Sequence, residues 1–247
     1  MATDIYLSLV LPAYNEEHRI IPALTEIYNY IDKNHKPFEI IIVNDGSKDH
    51  TLQILEEFKK THPHLKILSY EHNKGKGYCL RKGMTSAIGK YVFFSDADNA
   101  TPIQQITAAL TILENGNDGV YGVRVEQMNQ SSKRRVIGLC FMIIAHFIVF
   151  DRTVTDSQCG FKGFTKKSAH DVFSRAFING GTIDVQIIDL CHRLGYKLKP
   201  IAVEWCNVPG STINLLKCFL QDPWDLFRIR LFRNKILRTN PSRKRLN

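Results

Sequence analysis

The sequence predicts an α/β domain in which a mostly parallel sheet is flanked by helices. Three observations carry this. Short apolar segments alternate with segments of helical apolar spacing from the N-terminus onward. The short segments are apolar at consecutive positions, as in strands buried on both faces. Polar clusters follow the first strands at their carboxyl ends, where open α/β sheets bind ligands.

The elements follow in order. Ile5–Leu11 is a strand, and Glu16–Asp32 is a helix with apolar residues at Ile20, Leu24, Ile27 and Ile31. Phe38–Val43 is a second buried strand, after which Ser47 or Asp49 caps a helix that runs through Lys60. Leu65–Tyr70 reads as strand, Tyr78–Ile88 as helix and Lys90–Ser95 as strand. Pro102, a residue favoured at the first helical position, opens a helix to about Asn115, and Val120–Val123 is strand again. Further on, Phe161–Thr165 and Lys197–Trp205 read as strands and Ile183–Leu194 as a helix. Ser211–Leu237 mixes apolar residues with Arg and Lys as an amphipathic basic segment, broken near Pro223. With no internal repeat, the expected organisation is a domain over residues 1–210 and a basic amphipathic appendage over 211–247.

Composition narrows the class. With 44% hydrophobic and 23% charged residues, the chain is neither disordered nor fibrous. Its net charge of +9 favours an anionic partner. Nine basic and two acidic residues lie between Asn207 and Asn247, so the excess belongs to the tail. The six cysteines lack zinc-type spacing and read as inert thiols of a reducing compartment. The N-terminus has no basic n-region and is not read as a signal peptide, and the apolar run Val136–Phe150 is too short to span a bilayer. The protein is therefore expected in the cytoplasm, peripheral on a cytosol-facing membrane.

Four clusters carry chemistry. Asp96 and Asp98, one residue apart in a turn after the strand Tyr91–Phe94, can jointly face a divalent cation that bridges phosphate oxygens. Asp45, in Asn44-Asp45-Gly46-Ser47, can accept a hydrogen bond from a nucleobase N–H. In Pro12-Ala13-Tyr14-Asn15-Glu16, Tyr14 can stack on a base and Glu16 can reach ribose hydroxyls. Lys74 and Lys76, flanked by glycines, can close on a diphosphate. The spacing fits neither GxGxxG nor GxxxxGK, which disfavours a Rossmann dehydrogenase and a P-loop NTPase. Each cluster alone is also what an ordinary β–α turn looks like. Their succession at consecutive strand ends is what distinguishes them.

In that succession the chain resembles the inverting nucleotide-sugar glycosyltransferases of family 2, with the GT-A fold. Asp156-Ser157-Gln158-Cys159-Gly160-Phe161-Lys162, Ile183-Asp184-Val185-Gln186 and Val203-Glu204-Trp205 with Gly210-Ser211 are similar to the dolichyl-phosphate β-glucosyltransferase group, close to other polyprenyl-phosphate glycosyltransferases. The resemblance implies that Pro12, Tyr14, Glu16 and Asp45 hold the nucleoside. It further implies that Asp96 and Asp98 hold Mg²⁺ or Mn²⁺ and the diphosphate, with Lys74 and Lys76 nearby. Arg124, Arg134, Arg135 and Gln158 fall on the acceptor side, where two guanidiniums suit a phosphate dianion. Gln186 departs from the family, standing where an acid is usual.

The reaction implied is inverting transfer of a hexose, glucose from UDP-glucose being favoured, to a polyprenyl phosphate. Two relatives of that reaction stay open. One is a GDP-mannose-dependent polyprenyl-phosphate mannosyltransferase. The other acts on a hydroxyl acceptor and needs a general base, for which Asp184 is the candidate. A nucleotidyltransferase is disfavoured because its Gly-rich, Arg-containing start is absent. A nucleic-acid partner is not expected, since the tail lacks interleaved stacking motifs. A lipid acceptor also accounts for the basic tail, with Arg and Lys on anionic headgroups and Trp224, Phe227 and Phe232 at the acyl boundary.

Overall fold

The computed structural model describes residues 4–35, 37–128, 149, 154, 156–206 and 215–238, apart from the side chains of 126–128, 215–220 and 235–238. Arg134, Arg135, most of Val136–Phe150 and the Gly210-Ser211 pair lie outside the described residues.

Seven strands form one sheet: β1 (Leu7–Ala13), β2 (Phe38–Asn44), β3 (Leu65–Ser69), β4 (Tyr91–Phe94), β5 (Gly119–Met128), β6 (Lys162–Thr165) and β7 (Leu198–Cys206). Their spatial order is β3-β2-β1-β4-β6-β5-β7. The pairs β1–β2, β2–β3, β1–β4 and β5–β7 are parallel, and β6 runs antiparallel to both of its neighbours. The sheet is thus mostly parallel, as the consecutive apolar residues of β1, β2 and β4 require for burial on both faces.

Alternation of side chains along each strand builds two cores. Leu7, Leu9 and Leu11 of β1 pack with Ile20, Leu24 and Ile27 of α1 (Ile20–Asn34), Leu55 of α2 (Thr51–Lys59) and Ile106 and Leu110 of α4 (Gln105–Glu114). On the other face Val10, Ile41, Val43 and Phe94 pack with Leu80 and Met84 of α3 (Lys76–Ser86). That second core also takes Val172 and Phe173 of α5 (Lys166–Arg175), Ile187 of α6 (Ile183–Leu194) and Leu226 and Ile229 of α7 (Leu215–Arg238).

Four local expectations need correction. Helix α4 starts at Gln105; Pro102 opens a turn in which Gln105 and Ile106 donate to the Pro102 and Ile103 carbonyls. Helix α5 is not legible in the sequence, because its segment KKSAHDVFSR is mostly polar. It forms because Thr165 caps it, accepting from the Ser168 N–H, and because Ala169, Val172 and Phe173 bury one face. Helix α7 continues through Pro223, where the sequence predicts a break. Burial of Leu226 and Ile229, with Asp222 accepting from Thr182 at 3.0 Å, outweighs the proline's cost of about 3 kcal/mol. Finally, the N-cap of α2 is His50, which makes no side-chain cap bond; Asp49 accepts from the Thr51 N–H two residues on, while Ser47 Oγ accepts from the Asn15 N–H and donates to Asn44.

Candidate active site

The loops after β1, β2 and β3 are laced together. Asn15, at a φ of 54°, donates its N–H to Ser47 Oγ and accepts from the Lys48 N–H at 2.8 Å. The Glu16 and Glu17 N–H groups donate to Thr51 Oγ1 and Asp49 Oδ2. Asp45 is buried, and its two oxygens accept from the Lys74 N–H at 2.7 Å and the Gly75 N–H at 2.8 Å. It therefore shapes the glycine–lysine loop, and each oxygen retains a further lone pair for a nucleobase N–H. Tyr14 and Pro12 are half-buried at the rim of the same loop cluster.

Gly75 and Gly77 let this loop press against the segment after α5. A Cβ on Gly75 would lie 2.4 Å from the Asn179 carbonyl oxygen, and Gly75 has a φ of 96°. The Gly77 N–H donates to the same carbonyl at 2.7 Å. Lys74 stands apart from the carboxylates: its ammonium lies 4.9 and 4.7 Å from the ring centres of Tyr70 and Tyr78. Lys76 points the other way.

At the centre is a chain of alternating charge. Lys76 Nζ lies 2.9 Å from Asp96 Oδ1 and 3.5 Å from Asp184 Oδ2. Lys162 Nζ lies 2.6 Å from Asp184 Oδ1 and also donates to the Ser157 and Cys159 carbonyls. Burial opposes charge on Lys76, yet Asp184 and then Asp96 hold its pKa above the ordinary value. Burial likewise opposes ionisation of Asp96, and Lys76 overcomes it, so that carboxyl titrates below its usual range. Asp98 is the opposite case: burial first, and the Asp96 charge next, push its pKa up. Burial also raises Glu16, against the pull of Arg19. Asp184 is 1% exposed, and each of its oxygens faces an ammonium.

The motif around Asp156 wraps the far side. Arg124 donates Nε and Nη2 to Asp156 at 2.7 and 2.9 Å, a two-pronged pair that holds Asp156 below the usual carboxyl range against its burial. The register of β5 against β7 shifts between Arg124 and Glu126, and such an irregularity re-aims side chains at a strand end. Gly160 leaves room for Asp96: a Cβ there would lie 2.0 Å from Asp96 Oδ2, so any larger residue would have to move that carboxylate. Among the described residues, Gln158 Nε2, Ser157 Oγ, Glu16 Oε2 and Asn99 Oδ1 are buried with no hydrogen-bond partner. These are groups of the kind a substrate satisfies.

The structure thus brings together Glu16, Lys76, Asp96, Asp98 and Asp184, with Arg124 and Gln158 on the adjoining motif. Three further residues complete this site; the sequence marks Gln186 as a departure from the family and Lys162 only as the end of its motif, and does not mark Arg19. Arg19 joins Glu16 Oε1 at 2.7 Å to Asp98 Oδ2 at 3.4 Å. Lys162 is fully buried in β6, and nothing in the spacing of an isolated Lys announces that. Gln186, where relatives carry an acid, accepts from the Phe177 and Ile178 N–H groups, each at 3.0 Å, a role that needs only a side-chain oxygen.

Asp96 and Asp98 fit a divalent cation by their chemistry. They are close enough for the Asp96 charge to raise the Asp98 pKa, a repulsion that a hard cation relieves. Among the described residues no group of three or more His, Cys, Asp or Glu is placed to hold a metal, and a cation held by two carboxylates would take its other ligands from phosphate oxygens and water.

The family model for glycosyl transferase family 2 matches residues 8–173. Dolichyl-phosphate beta-glucosyltransferase ALG5A of Trichomonas vaginalis is 33% identical over 242 residues, covering 93% of this chain and 74% of its own. Dolichyl-phosphate beta-glucosyltransferase of Saccharomyces cerevisiae is 32% identical over 250 residues, covering 92% and 75%. Among solved structures, glucosyl-3-phosphoglycerate synthase from Mycobacterium tuberculosis in complex with Mn²⁺ and UDP-glucose superposes with a TM-score of 0.68 at 17% identity, over 92% of this chain and 79% of that one. The fold is the GT-A fold that the order of the motifs implied, and the chain belongs to glycosyl transferase family 2.

Proposed function

We propose that this family 2 hexosyltransferase transfers glucose from UDP-glucose to dolichyl phosphate with inversion at the anomeric carbon. The names of its relatives support the sugar and the acceptor. The observation that carries the choice of acceptor is the environment of Asp184. With both oxygens on ammonium groups and almost no exposure, it is not poised to take a proton from a hydroxyl. A phosphate acceptor is already ionised at neutral pH and needs no such base. Its oxygen forms the bond to the anomeric carbon while the bond from that carbon to the diphosphate breaks, its electron pair leaving with UDP.

In this reading Pro12, Tyr14, Glu16 and Asp45 bind the nucleoside, and Lys76, with Lys74 at the loop's outer edge, meets the diphosphate. Asp96 and Asp98 hold Mg²⁺ or Mn²⁺, which supplies charge stabilisation to the leaving diphosphate. Arg124, Arg134, Arg135 and Gln158 receive the acceptor phosphate. Asp184 is a positioning residue that orients Lys76 and Lys162.

In this reading the lipid acceptor implies that the protein works peripherally on a cytosol-facing membrane surface. Among the described residues no helix is long and apolar enough to cross a membrane. Helix α7 supports surface contact instead. Trp224, Phe227 and Leu231 are exposed at helical spacing on one stripe, while Asp222 and Asp225 turn inward to Thr182 and Arg228. An outward stripe of aromatic and aliphatic side chains on a basic helix suits an interface of anionic headgroups above acyl chains.

The test is to incubate purified protein with dolichyl phosphate in vesicles, Mn²⁺ or Mg²⁺, and labelled UDP-glucose, UDP-galactose or GDP-mannose. Label entering the organic phase from UDP-glucose is the expected result. Metal-dependent UDP release without lipid label would move the acceptor to a hydroxyl.

A further inference from the structure

Each of the two aspartates proposed to hold the metal already faces a side-chain cation. Lys76 Nζ is 2.9 Å from Asp96 Oδ1, and Arg19 Nη1 is 3.4 Å from Asp98 Oδ2. Arg19 stands at the N-cap of α1 with its side chain 15% exposed, so it is not a solvated surface charge. The loop after Asp98 is tied to α1 a second time through Glu26, which accepts from Asn99 and Gln104. Helix α1 therefore holds both the guanidinium and the loop it faces.

Each cation also has a second carboxylate in reserve. Lys76 has Asp184 Oδ2 at 3.5 Å, and Arg19 has Glu16 Oε1 at 2.7 Å. Either can release its aspartate without becoming an unpaired charge in a low-dielectric site, which would otherwise be costly.

The charge inventory then decides what the site can accept. Four carboxylates (Glu16, Asp96, Asp98, Asp184) face three cations (Arg19, Lys76, Lys162), leaving one net negative charge. A divalent cation alone would reverse the sign of the site and compete with two bound cations. A divalent cation together with a nucleoside diphosphate sugar, whose diphosphate carries two negative charges, leaves the total unchanged. The diphosphate oxygens also give the displaced ammonium and guanidinium new partners.

We propose that Arg19 and Lys76 are resident counter-ions of Asp98 and Asp96 that keep a free divalent cation out and admit it only with the nucleoside diphosphate. This deepens the function proposed above, because it takes the two aspartates as the metal side. Arg19 is in this view a positioning residue, linking the nucleoside loop at Glu16 to the metal loop at Asp98.

The test is Mn²⁺ binding to the full chain, read by electron paramagnetic resonance of free Mn²⁺, with and without UDP. In the unmodified protein UDP should tighten Mn²⁺ binding roughly tenfold or more, the scale on which one neighbouring charge moves an ionic equilibrium. Arg19→Met should bind free Mn²⁺ tighter by a similar factor and lose most of its coupling to UDP, while Arg19→Lys should retain the coupling. Damaged packing weakens ligand binding, so a gain of affinity is a readout that a merely structural role would not produce. Lys76→Met makes the same test from the other aspartate, should Arg19→Met fail to fold. Equal Mn²⁺ affinity with and without UDP, or no gain in either methionine variant, overturns the proposal and leaves the metal assignment intact. Absence of Mn²⁺ binding under both conditions overturns the metal assignment and the proposal with it.

Discussion

Lys162 and Asp184 meet at 2.6 Å with their side chains 0% and 2% exposed, joining β6 to the first turn of α6 beneath the site. Replacing one partner strands a buried charge, at a cost of about 3–5 kcal/mol. Lys162→Met should therefore lower the urea midpoint sharply. A Lys162→Met, Asp184→Leu double variant should recover part of that stability and still show impaired transfer, because Lys76 loses its second carboxylate. Full activity in the double variant would argue against Asp184 as a positioning residue.

Gly160 tests the geometry at Asp96. A methyl group there needs space that Asp96 Oδ2 occupies, since the two would lie 2.0 Å apart. Gly160→Ala should displace the carboxylate and cut the transfer rate by roughly tenfold or more, the scale of loss for a misplaced catalytic group. Circular dichroism should show the fold retained. Unchanged turnover would place the reacting groups elsewhere.

Asp98→Asn separates function from stability. Burial, with Asp96 next, raises the Asp98 pKa, so the folded state binds this proton more tightly than the unfolded chain does. Stability from this group therefore falls as pH rises through the window between its ordinary value and the raised one. The ionised carboxylate at neutral pH is a net cost to the fold. Asp98→Asn should abolish metal-dependent transfer while leaving the thermal midpoint at pH 7 equal to or above that of the unmodified protein. A lower midpoint would show that the bond to Arg19 outweighs burial.

The Arg124–Asp156 pair has the opposite sign. Arg124 holds the Asp156 pKa below its ordinary value against burial. Its contribution is complete above the ordinary carboxyl range and is lost as pH falls through the lowered value. Thermal melts of Asp156→Asn and the unmodified protein should therefore differ most at neutral pH and converge in acid. Arg134→Ala with Arg135→Ala should instead raise the dolichyl phosphate concentration needed for half-maximal rate, with little change in the UDP-glucose requirement.

Trp224→Ala with Phe227→Ala tests α7. Both residues are exposed, at 61% and 48%, so the urea midpoint should change little. Cosedimentation with vesicles containing anionic lipid should fall severalfold, and transfer to a water-soluble short-chain acceptor should persist. Vesicle binding equal to that of the unmodified protein would assign the lipid contact to another segment.

Most of the fold, and the strand ends at which the candidate site lies, are legible in the sequence, for a physical reason. Strands buried on both faces must be continuously apolar, so β1, β2 and β4 declare themselves, and ligand loops must follow their carboxyl ends. That logic picks out Tyr14, Glu16, Asp45, Lys76, Asp96 and Asp98 as candidates, and the fold has them in the segments that follow the carboxyl ends of β1 to β4. It failed where tertiary packing overrides local preference. Helix α5 is too polar to announce its buried face, and α7 runs through Pro223 because Leu226 and Ile229 are anchored in the core.

Pairing was decided by tertiary structure alone. A sequence shows that Asp45 and Asp184 are carboxylates. Only the fold shows that Asp45 also braces the backbone of Lys74 and Gly75, and that Asp184 is clamped between two lysines from distant elements. Arg19 and Lys162 look like ordinary basic residues until the fold brings each to a carboxylate 79 and 22 positions away. Residue type and strand-end position are properties of the chain. Which charge neutralises which depends on distances of a few ångströms across elements remote in sequence, and only the packed sheet and its helices set those.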